Sequence, residues 1–531
     1  MNPSDRPVAR IGLDLGTTNT VVALADRGNF PVLGLEPEAR SSVPSVIAWD
    51  DGHIFIGQQA QESLARSTSR ALPSFKRWLG HLEPEADSLR DDLDPSSTAA
   101  SKIEELLVAF LAGIRERVVR AAGFDEEIRI EAMLGVPANA NSLQRWRTVS
   151  AARTAGFDVL GLVHEPTAAA LEHAHRHPLF GRGKAKRHVL VYDLGGGTFD
   201  ASLVRIDPEG VTVVRSTGIE RLGGDDFDRA MADLVLEGSG AKFDQLPAGS
   251  QWDLLLRCRE AKEAIRPTTK KWIVDLSGIA DGEVSVRASD YADRCAPMVK
   301  ETVRVLQAAL DESGLPESEI DALLLVGGGS ELPMVRKRLS DLFATRVRIS
   351  PHPFASTAIG LAIHADRSNR GAFVSELLSR NFGVWREAES GKRKTFDVLF
   401  DRSTPLPAAG DELIVTRRYR PAHDVGVFSF EECLELDSDG LPSAGRTPWC
   451  EILFPFDPAR SVDRTPASLE VEPHSFPPEV VATETWSCDP EGMITVRIER
   501  SVPPLASTFL LYGPERIEAP ASRRKPAVTT T

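Results

Sequence analysis

Two turns carry the chemistry that this sequence can do. One is Asp14-Leu15-Gly16-Thr17-Thr18-Asn19. The other is Asp193-Leu194-Gly195-Gly196-Gly197-Thr198-Phe199-Asp200. Each follows an apolar, β-rich run and opens on an aspartate. Glycine lets backbone approach a ligand closely, and successive N–H groups in such a turn cradle anionic oxygens. The hydroxyls of Thr17 and Thr18 add donors for the same phosphate. Asp14 and Asp193 stand at the ends of equivalent strands. They suit one magnesium ion held between two lobes through its waters, because Mg²⁺ dehydrates reluctantly. Read alone, the first turn also fits an ordinary glycine turn, and the second a loose hairpin.

Three further segments suit the same site. In His164-Glu165-Pro166-Thr167-Ala168-Ala169-Ala170, Pro166 fits the first turn of a helix and the alanines allow close packing. Glu165 then stands at the helix mouth, where a carboxylate can order an attacking water or a metal's hydration shell. In Leu325-Val326-Gly327-Gly328-Gly329-Ser330, a buried strand enters a glycine turn that admits a flat base or a phosphate, although a plain β–α turn fits as well. Gly223-Gly224-Asp225-Asp226-Phe227-Asp228 is a turn before a helix. It suits ribose and phosphates, with Asp226 near the metal.

Rigid elements must hold these turns, and the first 366 residues supply them. Apolar β-branched runs predict strands over 9–13, 21–25, 130–136, 188–192, 201–206, 211–216 and 323–326. Helical spacing predicts helices over 103–122, 142–155, 167–174 and 296–311. The strand–turn–strand pattern of 11–22 recurs at 189–204, which implies a duplicated domain with a cleft between the copies. We assign 1–366 to this α/β domain and 367–380, with an apolar centre at 373–378, to a linker. Short strands and many prolines over 381–516 predict an all-β, sandwich-like domain. Residues 517–531, rich in Pro, Ala, Thr and Arg, are expected to be disordered.

Composition narrows the setting. The 531 residues carry a formal charge of -15, which argues against nucleic acid or an anionic membrane as the main partner. No apolar run approaches the roughly 18 residues of a membrane span. The first ten residues hold no apolar signal core, so a cytoplasmic location is expected. Five cysteines without a CxxC pair read as reduced, mostly buried thiols.

The order and spacing of the motifs resemble the 70-kDa heat-shock chaperone family. The residues carrying the resemblance are DLGTTNT from Asp14, Phe75-Lys76-Arg77, Val136-Pro137-Ala138, Gln144-Arg145, HEPTAAA from His164, DLGGGTFD from Asp193, LGGDDFD from Leu222, Glu260-Ala261-Lys262 and LVGGGSELP from Leu325. The resemblance implies a duplicated actin-like (ribonuclease H-like) ATPase domain of two lobes that uses ATP or ADP with Mg²⁺. It implies that Lys76 reaches the γ-phosphate and, with Glu165, Asp193, Thr198 and Asp200, serves hydrolysis. Asp14, Glu165 and Asp193 would surround the metal. Gly16, Thr17, Thr18, Asn19, Gly195, Gly196, Gly197, Gly223 and Gly224 would line the phosphates. Lys262 with Gly327, Gly328 and Gly329 would frame the adenosine, and Pro137 and Arg145 match a relay to the second domain.

The chain also departs from that pattern. Arg259 stands where the family has an acid, Glu331 where it has an arginine, Gly329 where it has a serine, and Phe354 where it has an acid. These changes put the adenine end in doubt more than the phosphate end. Gly161 and Ser142 alter the surface for J-domain co-chaperones, and a short 223–297 segment alters that for a nucleotide exchange factor. The family's helical lid is expected to be lacking after Tyr512. The implied function is an ATP-hydrolysing, chaperone-like protein whose β domain binds a peptide or unfolded client. One alternative is an ATP-dependent regulatory module that docks a specific folded partner. A small-molecule kinase fits the motifs less well.

Overall fold

The computed structural model describes residues 7–50, 53–65, 70–81, 98–177, 186–207, 210–237, 239–279, 282–366, 374, 376–389, 391–460 and 471–511. Most of the expected linker and the whole of the expected disordered tail lie outside them. The chain divides into two compact units. One comprises Met1–Ala138 and Thr148–Val374, the other Asn139–Arg147 and Ser375–Thr531.

The first unit contains the duplication. One five-stranded sheet runs Ser42–Pro44, Asn19–Leu24, Val8–Leu15, Arg129–Val136, Asp158–His164. The other runs Gly210–Ile219, Phe199–Asp207, Arg187–Leu194, Ile320–Val326, Val347–Ile349. In both, the first three strands pair antiparallel and the last two join in parallel. The parallel strands are apolar nearly throughout, as Arg129–Val136 shows with seven of its eight residues buried. Strands covered on both faces require this.

Two helices join the lobes. Glu165–Arg176 follows the last strand of the first sheet, yet its Ala169, Ala170, Leu171 and Ala174 pack on Val189, Val191, Val204 and Ile206 of the second. Ser356–Ala365 follows the second sheet and places Ala358 and Ala362 against Val21 and Ala23 of the first. Small residues set the distance between these helices. A methyl group on Gly360 would collide with the Ala168 carbonyl, and one on Gly12 with the Ala358 carbonyl. The alanine run of the sequence motif is therefore the contact surface of the central helix pair.

Each lobe carries an addition. On the first lobe, the sheet of Val46–Asp50, His53–Ile56 and Arg70–Pro73 is backed by Gln58–Ala65. On the second, Gly224–Leu236, Ala248–Glu263 and Ala288–Ser313 surround a core that includes Phe227, Met231, Leu254 and Tyr291.

The second unit is a β sandwich. One sheet runs Arg393–Phe400, Asn381–Ala388, Val425–Cys433, Thr447–Pro455; the other runs Leu413–Tyr419, Ala482–Cys488, Ile494–Arg500, Leu505–Leu510. Strict alternation of buried residues along Ala482–Cys488 turns one face inward. Trp486 from one sheet meets Phe430 (5.2 Å) and Phe382 (6.2 Å) from the other. Arg386 holds the fully buried Glu484 through two 2.7 Å hydrogen bonds. Arg145, of the Asn139–Arg147 segment in this unit, donates to the Glu491 carbonyl at 2.9 Å. Cys258, Cys295, Cys433 and Cys488 are buried free thiols. Among the described residues no helix is long and apolar enough to cross a membrane.

The helix pair yields a direct test. Gly360→Ala should destabilise the first unit by about 1–3 kcal/mol, the cost of overpacking a close contact. The exposed change Glu116→Ala should stay within about 0.5 kcal/mol in the same thermal melt.

Candidate nucleotide and metal site

Equivalent strands of the two sheets end at one place. Asp14 lies one residue before the end of Val8–Leu15, and Asp193 one before the end of Arg187–Leu194. Asp200 pairs directly with Asp193 across its hairpin, and Val326 lies beside Asp193 on the other side. Glu165 opens its helix immediately after the strand Asp158–His164, with Pro166 in the first turn. A side chain on Gly135 would meet both Glu165 and the Asp14 carboxylate, 3.5 and 3.7 Å away.

Lys76 arrives from the Phe75–Trp78 turn. Ser74 begins that turn in the left-handed region at φ 52°, and fully buried Phe75 anchors it edge-on against Phe110 at 4.9 Å. The Lys76 side chain is thereby buried, and its Nζ donates to Glu165 Oε1 at 2.5 Å. Four carboxylates thus crowd around one ammonium. Burial, then the Glu165 charge, push Asp14 up to about 7 against the pull of Lys76. Burial and Glu165 likewise push Asp200 up to about 7, although Lys76 and the Thr198 hydroxyl oppose the shift. Asp193 is raised well above the carboxylate range by burial and by Glu165, Asp200 and Asp14. Burial disfavours the Lys76 charge, but Glu165, Asp14 and Asp193 outweigh it and hold the ammonium above its ordinary value.

Uncompensated negative charge in a cleft is what a divalent cation neutralises. Among the described residues no three His, Cys, Asp or Glu side chains converge to ligate a bare ion. Carboxylate oxygens such as those of Asp14, Glu165 and Asp193 are the donor type that magnesium and its bound waters take.

The glycine turns of the two lobes meet each other. A side chain on Gly196 would collide with that of Thr18 from the opposite lobe, so only glycine permits the approach. The Gly224 and Asp225 amides donate to the Gly195 carbonyl (2.9 Å) and the Gly196 carbonyl (2.6 Å), which fixes Gly223 and Gly224 beside Gly195–Gly197. Gly16 lies under Asn19, and Thr17 against Gly197. Lys262 donates to the Gly224 carbonyl at 2.8 Å and pairs with Asp228 at 2.7 Å. Gly327 has φ 78°, and a side chain there would strike Leu194 and Asp193; Gly329 packs on Leu194, while Gly328 faces open space.

The sequence placed Asp226 near the metal. In the structure its carboxylate turns back to accept from the Gly223 amide at 2.8 Å and caps its own helix. Its neighbour Asp225, given no role from the sequence, faces the cleft. It accepts from Ser74 Oγ at 3.1 Å and pairs with Arg259 at 2.9 Å. Arg259, the charge reversal at the adenine end, is thus engaged with Asp225 and, at 3.0 Å, with Asp228. Arg77 was quoted only as part of a motif. It donates to the Gly197 carbonyl at 2.8 Å.

Residues 10–378 match the family model described as Hsp70 protein. The chain belongs to the Hsp70 family. It is 30% identical over 486 residues to the chaperone protein dnaK1 of Prochlorococcus marinus, covering 84% of this chain and 71% of that one. To the chaperone protein HscA of Edwardsiella ictaluri it is 33% identical over 379 residues, covering 68% and 59%. To the chaperone protein DnaK of Halobacterium salinarum it is 27% identical over 471 residues, covering 84% and 71%. The match thus spans between 59% and 71% of these relatives' lengths. Hsp70 proteins are ATPases that work as ATP-dependent chaperones, and the two-lobed unit is the ATPase part of this Hsp70-family chain.

The raised carboxyls set the sign of a pH effect. Asp14 and Asp200 bind protons more tightly folded than unfolded. The metal-free unit should therefore lose stability as pH rises from about 4 through 7. Asp14→Asn should raise its thermal midpoint at pH 8 and leave it nearly unchanged at pH 4. Equal effects at both values would contradict the assigned charge crowding.

Proposed function

We propose that this Hsp70-family chain hydrolyses ATP in the cleft and couples its nucleotide state to binding of a peptide or unfolded protein by the β sandwich. The phosphates would lie over Gly16, Thr17, Thr18 and Asn19 on one lobe and Gly195, Gly196, Gly197, Gly223 and Gly224 on the other. Lys262 and residues Gly327, Gly328 and Gly329 would frame the adenosine. Asp14, Glu165 and Asp193 would hold magnesium through water, and the ion would supply charge neutralisation for the phosphates.

The observation that carries this reading is the Lys76–Glu165 contact within the aspartate cluster, at the foot of both phosphate turns. Lys76 presents a positive charge to the terminal phosphate, where charge changes during transfer. Glu165 accepts its hydrogen bond and would orient the attacking water. Thr198 stabilises the ionised form of Asp200 and turns its hydroxyl toward the same cluster. Positioning and electrostatics of this kind supply most of the catalysis in phosphoryl transfer. A cytoplasmic location, and partnership with a J-domain co-chaperone and an exchange factor, follow from the same reading. The family match does not favour a module docking one folded partner.

Steady-state ATPase assays with Mg²⁺ test the proposal. Lys76→Ala should lower turnover by about a hundredfold, the usual cost of losing one preorganised electrostatic contact. Thr198→Ala should lower it less; Lys76→Ala also removes the cation among the carboxylates and should lower the melting midpoint, so its turnover is read well below that midpoint. An unfolded peptide should stimulate wild-type turnover. Unchanged turnover in both variants would overturn the site assignment. Absence of peptide stimulation would overturn the client assignment.

A further inference from the structure

The two sheets of the sandwich end in four edge strands, and these differ in charge. Thr447–Pro455 and Leu505–Leu510 carry no lysine or arginine. Arg393–Phe400 and Leu413–Tyr419 carry Arg393, Lys394, Arg417 and Arg418, with Lys392 just before the one and Arg420 just after the other. These two edges lie on one flank, because Arg417 grips Asp397 across the sheets at 2.9 and 3.0 Å. Arg386 also reaches Asp397, at 3.4 Å, so that carboxylate is taken. Lys392, Arg393, Lys394, Arg418 and Arg420 are exposed, and among the described residues none of them forms an ion pair. Glu387 stands opposite Lys394 in the hairpin but faces His423, at 3.8 Å. Across from Arg418 stands Thr483, which offers no charge. A chain of net charge -15 thus gathers unpaired cations on one flank of its second unit.

We propose that this flank selects acidic clients: an extended segment bearing Asp or Glu adds as a further strand beside Leu413–Tyr419. The proposal rests on the client-binding reading above and names the class of client. Leu413–Tyr419 pairs with Ala482–Cys488 over its whole length without a register shift, and its other side has no strand partner. It therefore offers a regular row of backbone donors and acceptors, which an extended peptide can complete. Thr416 and Arg418 are its exposed positions, two residues apart and so on one face. An opposite charge directly across a strand pair stabilises it, and a like charge destabilises it. Lys392, Arg393 and Lys394, on the neighbouring edge, attract the same carboxylates and repel a basic segment. Lysine and arginine also keep open edges from pairing indiscriminately. That purpose would be served equally on Thr447–Pro455 and Leu505–Leu510, which lack them. The one-sided placement points instead to a partner of opposite charge.

Fluorescence anisotropy on the full chain tests this with three labelled peptides of equal length. They alternate leucine with glutamate, with glutamine or with lysine, so that the variable side chains share one face. The glutamate peptide should bind about tenfold or more tighter than the lysine peptide at low salt, with the glutamine peptide between them, and added salt should narrow the gap. The double variant Arg418→Glu, Arg420→Glu changes exposed positions only, so its melting and its unstimulated ATP turnover should match wild type. Its affinity for the glutamate peptide should fall by about tenfold or more, and its affinity for the lysine peptide should rise. Should that variant melt early, Lys392→Gln with Lys394→Gln tests the same flank from the exposed hairpin and should weaken the glutamate peptide by about threefold or more. A glutamate peptide N-methylated along its backbone keeps its charge but lacks the amide donors of a strand, and should bind about tenfold or more weakly. Equal affinity for the glutamate and lysine peptides, or tighter binding of the lysine peptide, would overturn the selection of acidic clients. Unaltered glutamate-peptide affinity in the charge-reversed variant, or in the hairpin variant where that one is needed, would overturn the placement on this flank. Unaltered affinity after N-methylation would overturn strand addition. Binding of none of the three peptides would instead overturn the client reading itself.

Discussion

A lysine ammonium held among Asp14, Glu165, Asp193 and Asp200 sets the terms for the rest of the first unit. Four acids cannot stay ionised together in a partly buried cleft without compensation. The fold accepts this tension because each acid stands on a rigid element. Three lie at strand ends and Glu165 opens a helix, so none can swing away. The strand ends in turn depend on the helix pair Glu165–Arg176 and Ser356–Ala365. Their close approach through Ala168 and Gly360 joins the two sheets. Substrate and magnesium would relieve what the apoprotein bears as shifted titrations. Stability is thus traded for a site that is ready before its ligands arrive.

Much of this was legible in the sequence, for physical reasons. Strands such as Arg187–Leu194 are buried on both faces and read as apolar runs. Triple glycine at 195–197 has few uses besides close backbone approach, and the duplication declared itself through the repeated Asp-Leu-Gly. Side-chain alliances between distant segments were not legible. Asp225 and Asp226 are chemically equal neighbours, and only the start of the helix decides that Asp226 caps it while Asp225 faces the cleft. Trp252 lies on a helix whose buried positions are Leu254, Cys258 and Lys262. Nothing in its local spacing shows that its partners come from residues 46–71. The role of Arg77 depends in the same way on a carbonyl 120 positions later.

The departures at the adenine end take on a different meaning in three dimensions. Arg259 reads as a hostile charge if the base is considered alone. In the structure it bridges Asp225 and Asp228, while Lys262 shares Asp228. The reversal brings a second cation to a second-lobe surface already rich in aspartate, and it holds the Asp225 carboxylate that accepts from Ser74. The β sandwich is simpler to account for. Alternating burial along strands such as Ala482–Cys488 and an aromatic centre at Phe382, Phe430 and Trp486 specify two packed sheets.

Proton release on nucleotide binding tests the central claim most directly. Calorimetric titration of MgADP into the full chain, in buffers of different ionisation enthalpy, counts the protons displaced. The account predicts net release near pH 7 that declines as pH rises toward 8.5, as Asp14 and Asp200 become ionised beforehand, and a smaller release in Asp14→Asn. A proton count that stays constant over that range, or that Asp14→Asn leaves unchanged, would contradict a site built on crowded carboxylates awaiting a metal.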